Sequence, residues 1–160
     1  MSEIVNRLNQ VRPTVSEGVT LVCVSKFHPA EAIMEAYQAG ERDFGESRVQ
    51  ELLTKYEALP KDIRWHMIGH LQTNKVRQIV PFIHLIHSID SEHLLATVNR
   101  EAGKIGRVVN VLLEVHVAAE ETKSGFSQEE LHALVDKLQT ASAPLYPFVR
   151  ICGIMGMATN

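Results

Sequence analysis

The stretch Asp43–Gly69, DFGESRVQELLTKYEALPKDIRWHMIG, holds one complete structural unit of the chain. Asp43 to Glu46 (DFGE) reads as a short strand. The segment after it carries Val49, Leu52, Leu53 and Tyr56 on one helical face and stops at Pro60. Arg64 to Gly69 (RWHMIG) reads as another strand. A strand, a helix and a strand in succession make a right-handed crossover between parallel strands.

Working outward, the unit repeats in both directions. Upstream, Thr20 to Ser25 (TLVCVS) is an apolar strand. His28 and Pro29 open a helix, with proline at its favoured first position. Ala30, Ile33, Met34 and Tyr37 form one face of that helix, and Gly40 ends it as a left-handed cap. Ile4, Val5, Leu8 and Val11 mark an extra N-terminal helix. Downstream, Thr73 can cap a helix bearing Val76, Ile79 and Val80. His84 to Ile89 is a strand, followed by a helix with Leu94, Leu95, Val98 and Ala102. Val108 to Val117 is the fifth strand. Ser127 and Glu130 form a capping box for a helix carrying Leu131, Leu134, Val135 and Leu138. Arg150 to Met157 is the sixth strand.

Alternating strands and helices imply an α/β fold with a parallel sheet. Strand starts near 20, 43, 64, 84, 108 and 150 are evenly spaced until the last gap. A doubly wound sheet and a (β/α)8 TIM-type barrel, with about six of its eight strands in this chain, both fit. The even spacing favours the barrel. No Gly-x-Gly-x-x-Gly follows the first strand, which removes the usual dinucleotide fingerprint. No Ser/Gly-rich linker divides residues 1–160, which read as a single domain.

The 160 residues carry 16 Lys plus Arg against 19 Asp plus Glu, a net charge of −3. Hydrophobic residues make up 45% and charged ones 22%, which excludes wholesale disorder. The slightly acidic balance argues against nucleic acid as a partner and gives no polybasic patch for a membrane. Apolar runs fall well short of the ~20 residues a spanning helix needs. With no secretory pattern at the N-terminus, Cys23 and Cys152 read as buried, reduced thiols of a cytoplasmic protein.

In either architecture, function sits at the C-terminal ends of the strands. Those ends are Lys26, Ser47, Gly69 with His70, Asp90, the loop Thr122–Gly125, and Met157 to Asn160. Lys26 closes an apolar strand, where desolvation disfavours an ammonium. A neutral amine condenses with an aldehyde to a Schiff base; the alternative is a surface lysine with its ammonium in water. Eight histidines raise the question of a metal. His66 and His70 are spaced for one ion only on a helix, and the first lies in a strand. His84 and His87, three apart on one strand, face opposite sides, so no metal site is expected. Ser124-Gly125 and Gly45 offer backbone amides to an anion, or are ordinary turn glycines. Met155 and Met157 alternate along the sixth strand as core residues would. No Gly-x-Ser-x-Gly occurs, so nucleophilic hydrolysis has no support.

Taken together, several motifs resemble one family. Val24-Ser25-Lys26 with Pro29, Gly40 and Arg42-Asp43-Phe44-Gly45-Glu46 is similar to the start of the pyridoxal phosphate homeostasis proteins. Ile63-Arg64-Trp65-His66-Met67-Ile68-Gly69 with Leu71-Gln72-Thr73-Asn74-Lys75 matches that family's most recognisable stretch. His87-Ser88-Ile89-Asp90, Lys123-Ser124-Gly125 and Gly153-Ile154-Met155-Gly156-Met157 follow in order. The resemblance runs from about residue 5 to the end. It implies a barrel related to the N-terminal domain of alanine racemase, holding pyridoxal 5′-phosphate (PLP) as a Schiff base on Lys26. The expected cofactor-binding set is Lys26, Ser47, Gly69 and Met157, with no catalytic residue assigned. Ser47 stands where the family usually has Asn, and His70 where it usually has Pro. The family's phosphate-cradling segments, and the Arg facing the pyridine nitrogen, lie beyond the sixth strand.

The expected function is PLP binding in intracellular PLP homeostasis, with PLP-dependent apoenzymes as recipients; the alternative is a racemase-like PLP enzyme. Racemisation needs an acid/base group on each face of the planar adduct, and Lys26 supplies one face. An interaction domain built on an inactive barrel is the third reading. With six strands, the first and sixth keep open edges. The expectation is therefore that these residues are the N-terminal part of a longer polypeptide, or that another copy covers the edge. PLP affinity should then be weak.

Overall fold

The computed structural model describes residues 2–117 and 124–158. Helix α1 (Glu3–Val11) precedes β1 (Cys23–Val24), α2 (Ala30–Gln38), β2 (Asp43–Glu46), α3 (Val49–Ala58) and β3 (Arg64–Met67). The one-turn helix α4 (Val76–Ile79), β4 (Leu85–Ile89), α5 (Glu92–Lys104), β5 (Val109–Glu114), α6 (Gln128–Thr140) and β6 (Val149–Met155) follow. The six strands form one parallel sheet in the order β1-β2-β3-β4-β5-β6. A doubly wound sheet reverses its order at a switch point. An unreversed order, each strand beside its predecessor, is that of a (β/α) barrel.

Paired residues of parallel strands share a face of the sheet, and residues two apart on one strand share it too. Phe44 pairs with Trp65, Met67 with Ile86, and Ile86 with Val111. These side chains are buried, with Ile33, Leu52, Val76, Leu95 and Val98 of the helices in one hydrophobic core. The other face carries Asp43, Gly45, Arg64, His66 and Leu112. The sheet is thus apolar towards the helices and mixed on its inner face. Among the described residues no helix is long and apolar enough to cross a membrane.

Local signals account for most boundaries. Gly40, at φ 109°, closes α2 with its own N–H on Tyr37 O and that of Glu41 on Ala36 O, a complete Schellman motif. Ser127 and Glu130 form the expected capping box, with bonds of 3.1 and 3.0 Å. Pro29 is the N-cap of α2 rather than its first helical residue, because its ψ of 164° is extended. Thr73 makes no side-chain cap; a 3₁₀ turn (Thr73–Lys75) leads into α4, and Pro81 stops that helix after one turn.

Three expectations change at the sheet edges. The first strand shrinks from Thr20–Ser25 to Cys23–Val24, since only β2 is there to pair with it. On β6, Ile151 pairs with Val111 but Gly153 with Leu112, so Cys152 is an extra bulged residue. Cys152 is exposed, as are Arg150, Ile151 and Ile154 of the same edge strand, and Cys23 is only half-buried, so they are not a pair of buried thiols. Burial nevertheless pushes the Cys23 thiol up to about 11. On α6 only Leu134 of the expected apolar face is fully buried, while Val135 is exposed.

Candidate functional site

Lys26 follows the two ladder residues of β1. An ideal Cβ on Gly45 would meet Val22 Cγ1 at 3.3 Å and Ile68 Cδ1 at 3.1 Å, which fixes Val22, Gly45 and Ile68 on the inner face. Val24 pairs with Gly45 and shares that face; Lys26 stands two residues past it at the C-terminal end of the strand, in the turn that the His28 N–H closes on Ser25 O (3.1 Å). Lys26 is exposed, not desolvated as its apolar strand suggested, because an edge strand covers it from one side only. Its amine makes no hydrogen bond or ion pair within the described residues.

The residues on either side of it are fixed. Ser25 is buried; its N–H donates to Gly45 O (2.9 Å) and its carbonyl accepts from Lys55 Nζ (2.8 Å). The Phe27 N–H donates to Glu51 Oε2 (2.7 Å), and Phe27 holds φ 66°, the only positive φ of a non-glycine among the described residues. Lys55, on α3, also donates to Glu46 Oε2 and Glu51 Oε2, each at 2.8 Å. The buried lysine is thus Lys55, at 6% exposure, and Glu46 beside it is 0% exposed. Burial raises Glu46 above the usual carboxylate range, although hydrogen bonds from Lys55 and Ser25 oppose the rise. Burial acts the same way on Glu51, but hydrogen bonds from Lys55 and the Phe27 N–H outweigh it and hold this carboxyl low.

Ser47 and Gly69 come together at the ends of β2 and β3. A Cβ on Gly69 would lie 2.5 Å from Ser47 O and 2.7 Å from Ser47 Cβ, so glycine is what lets these strand ends touch. His70 Nδ1 and Asp90 Oδ2, from the next strand ends, stand 3.5 Å apart. Met157 lies two residues past β6, 52% exposed, at the opposite edge of the sheet from β1. Ser124 donates to Glu114 Oε2, and Gly125 (φ 124°) turns the chain tightly against Glu114 and His116. Thr122, Lys123, Thr159 and Asn160 lie outside the described residues.

At the other end of the strands, Arg64 grips Asp43 with two bonds of 3.0 and 2.8 Å. Asp43 Oδ1 contacts His66 Nε2 at 3.0 Å, and His66 Nδ1 contacts His87 Nε2 at 2.8 Å. Sequence reasoning put His84 and His87 on opposite sides, yet their rings lie 5.3 and 5.0 Å from that of His66. Strand β4 begins only at Leu85, so His84 stands outside the ladder and strand alternation does not govern it. Asp43, His66 and His84 therefore bring three donor atoms within 4.8 Å of one another. Both Asp43 oxygens already accept from the Arg64 fork, and Oδ1 also contacts His66.

The residues at the β1 end fit a carbonyl-bearing cofactor, because a primary amine with no partner among the described residues sits on a backbone held from both sides. The family model of the alanine racemase N-terminal domain matches residues 1–159, which defines the class. Within that class the chain belongs to the pyridoxal phosphate homeostasis protein family. The family's protein from Schizosaccharomyces pombe is 36% identical over 97% of this chain and 66% of its own length. That of Aquifex aeolicus is 38% identical, over 97% and 68%. The solved structure of PipY from Synechococcus elongatus PCC7942 with PLP bound superposes with a TM-score of 0.85 at 39% identity, covering 98% of this chain and 71% of PipY. The chain spans about two thirds of the length of these relatives.

Two outcomes follow from this geometry. Gly69→Ala should push the ends of β2 and β3 apart and lower stability by about 1–3 kcal/mol in urea unfolding; an unchanged midpoint would contradict the contact with Ser47. Burial, and then the neighbouring His66, lower His87 from 6.5 to about 4. The unfolded chain thus takes up this proton near pH 6.5 and the folded chain only near 4. Stability should be full above that window and fall as the pH drops through it. His87→Gln keeps a donor for His66 and should flatten the slope; part remains, since burial and His66 also lower His84. An unaltered slope would show that His87 does not titrate there.

Proposed function

We propose that this chain binds PLP through Lys26 and serves PLP homeostasis, holding the cofactor and yielding it to PLP-dependent apoenzymes in the cytoplasm. The observation that carries the reading is the Lys26 amine, which has no partner among the described residues although both flanking residues are tied to α3 and β2. Relatives with 36% and 38% identity bear the name of PLP homeostasis proteins, and PipY, at 39%, was solved with PLP. When bound, PLP supplies an aldehyde carbon that condenses with a neutral primary amine.

Every other contribution belongs to the protein. Lys26 offers the amine. The Ser47–Gly69 contact closes the neighbouring strand ends, and the half-buried Ser47 brings a hydroxyl to them. His70 and Asp90 face one another at the third and fourth strand ends. Racemisation would require two proton-transfer groups on opposite faces of a bound substrate. The reading proposed here asks only for reversible attachment at one amine.

Lys26→Ala should abolish the visible absorbance that PLP gives with the protein, and with it the borohydride-sensitive colour. Because Lys26 is exposed and unpaired, its loss should change stability by no more than about 0.5 kcal/mol. Retained colour would move the attachment to another lysine. Time-dependent loss of an amino acid's α-proton in the presence of the wild-type protein would favour the enzyme reading instead.

A further inference from the structure

We propose that Glu51 and Lys55 of α3 are positioning residues that hold Lys26 in a binding-competent backbone geometry; this rests on Lys26 being the PLP lysine.

An ammonium has three N–H donors. Those of Lys55 reach Ser25 O, Glu46 Oε2 and Glu51 Oε2, all at 2.8 Å. The first bond fixes the residue before Lys26. The Glu51 oxygen that accepts from Lys55 also accepts the Phe27 N–H, which fixes the residue after it. One turn of one helix therefore grips both neighbours of Lys26 and leaves its side chain untouched. Phe27 needs that grip, because its φ of 66° lies in a region that a bulky side chain enters only at a cost of about 1–3 kcal/mol. The Arg48 guanidinium, 5.0 Å from the Phe27 ring, adds a second hold from the start of α3.

Stability alone does not explain this cluster. Burying charges is expensive, and well-packed apolar residues in their place are often neutral or stabilising. Glu46 Oε1 is buried without a partner among the described residues, so the cluster is not fully satisfied there. What it supplies is geometry: a fixed carbonyl at residue 25 and a fixed amide at residue 27.

The test uses the intact chain. Glu51 is 23% exposed, so water can replace it beside Lys55 and Glu51→Ala should fold. In that variant the Phe27 amide should exchange hydrogen faster without any cofactor present. PLP affinity, read from the visible band, should fall about tenfold, the worth of one hydrogen bond to a charged group. The melting temperature should fall by only a few degrees, because both lost bonds end on a partly exposed carboxylate. Glu51→Gln keeps an acceptor for the Phe27 N–H and should restore both readouts. Unchanged Phe27 exchange in Glu51→Ala would overturn the clamp whatever the cofactor does. Faster exchange with unchanged PLP affinity would overturn the positioning role. Parallel loss of affinity and melting temperature, with no rescue by Glu51→Gln, would reduce the cluster to a structural one and overturn it too. Lys26→Ala run alongside separates the readings, because colour retained there removes Lys26 as the PLP lysine while Phe27 exchange still reports on the clamp.

Discussion

One buried ammonium organises the functional end of this protein. Lys55 sits between the outer face of the sheet and α3, and its donors join the end of β1, the end of β2 and the first turn of α3. A charge this deep is tolerable only if every donor is satisfied and a carboxylate balances it. Glu46 can balance it because Glu46 pairs with Met67, on the face turned towards the helices. The register of β2 against β3 thus decides where the carboxylate points. The carboxylate decides where Lys55 is held, and Lys55 decides where the chain around Lys26 runs.

The sheet divides two kinds of chemistry. Its helix-facing side buries Phe44, Trp65, Met67, Ile86, Val111 and Leu113, the source of most of the hydrophobic stabilisation. Its inner side carries the Arg64–Asp43–His66–His87 chain near the N-terminal ends of the strands. In barrels of this kind that end reads as structural and the C-terminal end as functional. The hydrogen bonds from Arg64 and His66 outweigh the burial of Asp43 and hold its carboxyl below the usual range, as a permanent anchor would be. The free lysine stands at the opposite end.

Much of this was legible in the sequence. The strand–helix alternation, the Gly40 cap and the Ser127–Glu130 box depend on neighbours a few residues away, so local pattern reaches them. The parallel sheet follows from the alternation, but its unreversed order needed the pairing itself. Lys26 was singled out because it ends an apolar strand, and the family resemblance makes it the expected Schiff-base lysine. Lys55 was missed because a lysine four residues after Glu51 on a helix is normally a solvated ion pair. The signal was there: Lys55 lies three residues from Leu52, on the stripe that faces the sheet. The convergence of His66, His84 and His87 was also missed, because alternation was applied to His84, which lies outside the strand. The exposures of Lys26 and Cys152 depend on their lying at the two edge strands, which no local pattern reveals.

On the function proposed above, the cofactor attaches at Lys26, whose amine has no partner among the described residues while its two neighbours are clamped. The most direct measurement is peptide mapping of the wild-type protein after incubation with PLP and reduction with borohydride. The account expects a single phosphopyridoxyl group, on the peptide containing Lys26. A label spread over several surface lysines, or placed on a single different lysine, would contradict it.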